Sequence, residues 1–175
     1  MQSKLESIAA FVDSVTSYIG KIFSILTLAT VVIMFISVVK RYFFDHTSVW
    51  QQELIGYAHA ICFMTLSGYA LMKDAHVRVD ILHQRFSPKT KSYIEILGTL
   101  LLLMPFAVAI LILSDEYIAS SWHISEGSRE ANGLPFVYIL KTFIAVFAAT
   151  LLLQSISTLS KNIASLISFK HNEPT

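Results

Sequence analysis

The sequence predicts an all-α integral membrane protein with four transmembrane helices and both termini cytoplasmic. The first observation is four apolar runs, at 22–39, 54–72, 93–113 and 136–159, in a chain of 175 residues. Each comes close to the ~20 residues that a helix needs to cross ~30 Å of hydrocarbon. The second is their lack of ionisable side chains: none in the first, His59 in the second, and Glu95 and Lys141 near the ends of the third and fourth. The third is composition, since 54% hydrophobic and 14% charged residues leave little polar coat for a soluble domain. A soluble fold would have to pack four all-round apolar helices into one small core. The connectors are too short for a second core, so 1–175 reads as a single membrane domain.

Positive residues near span ends are retained on the cytoplasmic side, and their distribution sets the orientation. Lys4, Lys21, Lys73, Arg78, Arg85, Lys89, Lys91, Lys161 and Lys170 fall on one side, against Lys40, Arg41, Arg129 and Lys141 on the other. Both termini are therefore expected inside. The 40–53 and 114–135 connectors are expected outside, in the periplasm if the source is Gram-negative.

Ahead of the first span, Leu5, Ile8, Ala9, Val12, Val15 and Ile19 recur at helical spacing. Residues 3–19 thus form either an interfacial helix on the inner leaflet or a plain extension of the first span. The early charges Lys4, Glu6 and Asp13 do not fit a cleavable leader, so the first span is expected to remain in the protein. In the second span, Gly56, Ala60 and Ser67 lie within about 40° of one another at 100° per residue. That small-residue stripe suits close approach of another helix. Between the second and third spans, Val77, Ile81, Leu82 and Phe86 outline a second interfacial candidate, 77–86. Ser87 then reads as an N-cap with Pro88 at the first helical position. Pro105 removes a backbone donor in mid-span and predicts a bend. Asn132-Gly133 breaks an outer connector containing Asp115, Glu116, Glu126 and Glu130 against Arg129. The last span carries Thr150, Gln154, Ser157 and Thr158 on one face, which suits contact with a helix better than with lipid.

Catalysis needs a nucleophile with a base, paired carboxylates or a metal cluster converging in one cavity, and no such set is visible. The six histidines are scattered, and only His59 is deep in a span, so a bis-histidine haem has no second ligand in the chain. His59 has two readings: a step in a proton path, or an imidazole bonded to a neighbouring helix, and the second is favoured because no other embedded acid or histidine continues a relay. The lone Cys62 excludes an intrachain disulfide. No catalytic, substrate-binding or metal residues, no cofactor and no nucleic-acid partner are expected.

Trp50-Gln51-Gln52-Glu53, followed by Gly68 and the run from Lys73 through His76 and Val79 to Asp80, resembles the DctQ-like small membrane subunit of tripartite ATP-independent periplasmic (TRAP) transporters. Gly133-Leu134-Pro135 before the last helix fits the same pattern, and Asp74 stands where glycine is common. The resemblance covers roughly residues 20–160. It implies a four-helix subunit in the cell inner membrane that accompanies a large permease, while a periplasmic binding protein delivers an organic acid and an ion gradient drives import. In such a complex the small subunit supports the elevator-type permease and helps dock the binding protein.

Trp50 then anchors at the outer headgroups, and Glu53 caps helix-start amides or pairs with a partner's base. His76 and Asp80, four apart, order the turn after Lys73 or touch the permease. Gly56, Ala60, Ser67, Gly68 and Gln154 complete the candidate structural or partner-contact positions. The rival readings are a self-sufficient four-helix exporter, which lacks the embedded carboxylate it would want, and the membrane anchor of a respiratory complex.

Overall fold

The computed structural model of the chain describes residues 2–73 and 86–171. Every regular element among them is helical: α1 (Gln2–Phe44), α2 (Val49–Met72), α3 (Pro88–His123) and α4 (Val137–His171). All four are long and apolar enough to cross a membrane. The helices alternate in direction, so the start of α1 and the end of α4 lie at one end of the bundle, the terminal end. The 45–48 and 124–136 connectors lie at the other, the loop end.

The apolar runs sit inside longer helices. At 1.5 Å per residue the 43 residues of α1 span about 65 Å, twice the hydrocarbon thickness. No proline interrupts residues 2–44, and the helix passes residue 20 without a break. Of the two forms considered for 3–19, the continuous helix is the extension of the first span. Its inward stripe, Ala9, Val12, Thr16 and Gly20, is buried against protein. The 77–86 candidate lies outside the described residues apart from Phe86, which is exposed.

The sequence signals at the start of α3 operate as read. The Ser87 hydroxyl accepts from the Thr90 N–H at 3.3 Å, and Pro88 occupies the first turn, where its missing donor costs nothing. Just before Pro105, where the sequence predicts a bend, the helix holds a five-residue π turn, Thr99–Leu103, in which the Met104 N–H reaches back to the Thr99 carbonyl. This turn also sets register. The buried residues of α3 are Ser92, Thr99, Ala107, Ser114 and Ser121, spaced by seven everywhere except for eight between Thr99 and Ala107. A π turn inserts one residue, so the extra position is absorbed where it occurs and a single small-residue face persists along the helix.

α4 is the hub. It packs against each of the other three helices, α1 and α2 also pack together, and α3 makes its principal contacts with α4. Ala107, Ala148 and Leu151 form the apolar centre, wrapped by Leu71, Leu103, Ile110, Leu111, Phe147 and Leu152. The other buried positions of α4 are mainly small or polar: Gln154, Ser155, Ser157, Ser160 and Ala164. Helices in lipid gain nothing from excluding water from one another, so close approach through small side chains carries the packing. By contrast, Ile25, Leu28 and Phe35 of α1 and Leu101, Ile112 and Leu113 of α3 are exposed, as lipid contact requires.

Gly68 marks the tightest α2–α4 approach: a Cβ there would lie 2.6 Å from the Thr150 carbonyl oxygen, which is backbone and cannot swing away. Gly68→Ala should therefore lower the thermal midpoint in detergent, by an overpacking cost of about 1–3 kcal/mol. Gly98 has open space around it in a helical backbone, and Gly98→Ala should be neutral or stabilise by about 0.5–1 kcal/mol. Equal midpoints for the two variants would refute the close-approach argument.

Candidate functional site

Two polar assemblies tie the bundle, one at each end. At the loop end, Glu53 lies one turn into α2 and reaches across to the connector between α3 and α4. One carboxylate oxygen accepts from the Ser128 hydroxyl in a very short hydrogen bond, and the other accepts from the Leu134 N–H at 2.6 Å. The connector is folded on itself beneath this clamp. The Ser128 N–H donates to the Leu134 carbonyl at 3.0 Å, the Gly133 N–H to the Glu130 carbonyl at 3.1 Å, and the Glu130 N–H to the Ser128 hydroxyl at 3.1 Å. Asn132 takes the left-handed conformation at φ 63°, which its short polar side chain tolerates. A Cβ on Gly133 would collide with the Ser128 side chain and lie 2.8 Å from a Glu53 oxygen, so the clamp requires glycine there.

A second acid holds the connector's other margin. Glu126 Oε2 accepts from the Ser121 hydroxyl at 2.7 Å and from Lys141 Nζ at 2.5 Å, and the same ammonium lies 3.8 Å from the centroid of the Tyr117 ring. The Lys141 hydrogen bond, reinforced by Ser121, holds the Glu126 carboxyl below the usual glutamate value. Beside it, Trp122 Nε1 donates to Thr142 Oγ1 at 2.9 Å, and its ring meets Tyr138 edge-on at 4.7 Å. The connector is thus fastened to α2, α3 and α4 at once.

At the terminal end, Asp13 of α1 is the acceptor for a row on α4. Gln154 Nε2 and the Ser157 hydroxyl donate to its Oδ1 at 3.0 and 2.6 Å, and Lys161 Nζ lies 2.5 Å from Oδ2. The positions 154, 157 and 161 lie on one helical face, so one carboxylate engages two turns of α4.

The other candidate positions divide. Both Glu53 oxygens hold the connector. Trp50 is half-exposed in the first turn of α2. The Gly56–Ala60–Ser67 stripe is split: Gly56 is exposed with open space around it, Ala60 is half-buried, and Ser67 turns to α4 and bonds Thr150 Oγ1 at 3.0 Å. Lys73 closes α2 with its ammonium 5.7 Å from the Tyr69 ring centroid. His76 and Asp80 lie outside the described residues. The acidic connector expected from Ser114 onward is smaller than that, since α3 continues to His123, Asp115 and Glu116 ride on the helix, and Glu126 is paired. Sequence reasoning named Glu126, Lys141 and Asp13 without pairing them. No periodic signal links residues 15 or 148 positions apart across separate helices.

Among the described residues no group of three histidine, cysteine, aspartate or glutamate side chains is placed to hold a metal. What the two assemblies do is fix helices and one connector.

The family model for the DctQ component of tripartite ATP-independent periplasmic transporters matches residues 30–164. The chain belongs to this family. It is a TRAP transporter subunit and not an enzyme. Its helices are those of a multi-pass membrane protein. No curated protein and no solved structure matches the chain. The matched segment of this DctQ component contains Glu53, the whole connector, and Gln154, Ser157 and Lys161, but begins after Asp13. The terminal-end assembly therefore joins a residue outside the matched segment to three inside it.

Glu53→Ala should free the Leu134 amide and speed hydrogen exchange across 126–134 while leaving exchange in α3 and α4 unchanged. Gly133→Val should reproduce that pattern. Unaltered exchange in both variants would show that the connector needs no clamp. The Glu126 contribution follows from the direction of its shift. A carboxylate lowered by folding contributes stability that is complete above the ordinary glutamate pKa of about 4.3 and is lost as pH falls through the lower folded value. Connector protection should therefore be flat around neutrality and collapse only in acid, and Glu126→Gln should reduce the amplitude of that acid transition, leaving the part that the Glu53 clamp supplies. Loss of protection between about pH 6 and 8 would contradict the assignment.

Proposed function

We propose that this DctQ component is the supporting subunit of an importer in the cell inner membrane, with the terminal end cytoplasmic and the loop end periplasmic. It holds a large permease in register with the bilayer and offers its connector to the periplasmic binding protein, while the permease carries an organic acid inward on an ion gradient. The observation that carries this reading is the fastened connector, in which every Glu53 oxygen and the Glu126–Lys141 pair hold a short loop in one conformation. A preordered loop loses little conformational entropy on binding, which suits a docking surface that must be engaged and released repeatedly. The positive-residue distribution supports placing that loop outside.

The experiment is copurification and uptake. A tagged chain coexpressed with its cognate large permease should retain it through size exclusion in detergent, and proteoliposomes should import substrate only when both membrane subunits and the binding protein are present. Glu53→Ala should leave the membrane complex intact but raise the binding-protein concentration needed for half-maximal uptake, on the order of tenfold. A chain that stays alone beside its permease, or that transports by itself, overturns the reading.

A further inference from the structure

We propose that the outward face of α2 around Gly56 and His59 is the seat of one transmembrane helix of the large permease. The proposal rests on the supporting role argued above and adds where the two subunits meet. The exposed residues of α2 after its first turn are Gln52, Gly56, His59 and Phe63, spaced by four, three and four, so they form a single helical face.

That face is unlike the rest of the perimeter. Within the apolar runs the exposed surfaces of α1 and α3 are mainly large aliphatic and aromatic side chains, the composition that acyl chains solvate, and the exposed hydroxyls of α1, Ser24 and Thr27, are bonded to the Lys21 carbonyl and Cys62 Sγ. On α2 the corresponding row opens with an amide, a glycine and an imidazole. Gly56 has no atom within 4 Å of where a Cβ would stand, so a neighbour can approach its backbone directly. His59 is exposed and has no hydrogen-bond partner among the described residues. It lies five residues inside the 54–72 apolar run, about 7.5 Å along the helix from the run's outer end. Hydrocarbon surrounds that level, so a ring N–H and a ring acceptor there gain most from a protein partner.

The surface next to His59 is shaped to receive one. A half-open groove of 470 Å³ runs from His59 toward the terminal end, with Thr27 on the α1 side, Cys62 and Phe63 in α2, and Phe147 on the α4 side. A lipid chain can fill this groove but offers nothing to the imidazole. A helix satisfies all three features: a small residue against Gly56, a hydroxyl, amide or carboxyl side chain at the level of His59, and a bulky apolar side chain in the groove one or two turns further on. A tripartite transporter supplies such a helix in its other membrane component.

Site-directed photocrosslinking in the assembled complex tests this. A photoreactive amino acid at position 56 or 63 should crosslink to the permease, whereas the same group at 101 or 112 on the lipid-like surface of α3 should not. Gly56→Leu should lower permease recovery on the order of tenfold, and Leu101→Ala should leave it unchanged. Crosslinks from 101 or 112 instead of 56 or 63, a product of two copies of this chain, or lipid adducts alone at 56 and 63 would each overturn the seat while leaving the supporting role standing. Failure of the unsubstituted chain to retain the permease would overturn both.

Discussion

Close approach of helices in a solvent as apolar as their own side chains is the constraint on which this structure depends. Lipid gives no hydrophobic reward for pairing two helices, so contact must be dense or must satisfy polar groups. α4 meets three neighbours, and with Leu151 and Gln154 the exceptions, its buried residues are alanines and serines. α3 answers with one small side chain per two turns, kept in phase across Pro105 by the π turn. Lengthening those side chains would move α3 outward as a body, since its principal contacts are with α4.

Packing of this kind resists separation better than sliding, and the polar assemblies supply what it lacks. The two clusters lie near opposite ends of the bundle, one joining α1 to α4 through Asp13 and the other joining α2 and the connector to the loop ends of α3 and α4. Charge-assisted hydrogen bonds fix distance and direction together, so each cluster pins the axial position of its helices. Between them the middle of the bundle needs few such bonds. The Ser67–Thr150 and Thr27–Cys62 pairs are modest contacts there.

What the sequence discloses follows the range of each interaction. The four spans, the Ser87-Pro88 helix start and the Asn132-Gly133 turn depend on neighbouring residues and are legible in one dimension. The Glu53 clamp is half legible: its spacing within a family motif marks it, but Ser128 and Leu134 lie far along the chain and nothing local points to them. Residues 3–19 show the limit most clearly. Their apolar stripe suits a lipid interface and a protein interface equally, and what decides between them is the row of donors on α4 facing Asp13, which periodicity cannot reveal. His59 is the converse case: its isolation was visible, but only the fold turns it outward.

The same geometry explains how a subunit without a reaction centre contributes to transport. A helix that crosses the bilayer alone answers a thickness mismatch by tilting, at a cost of fractions of a kcal/mol per Å. α1 cannot tilt independently, because beyond its apolar run it continues about 30 Å to its N-terminus, and midway along that extension Asp13 is fastened to α4. α4 is in turn held by α3 and by the connector at the opposite end. Tilting any one helix therefore requires breaking a polar assembly or turning the whole unit, and a unit that turns only as a whole has the mechanical property required of a support for a neighbour that moves.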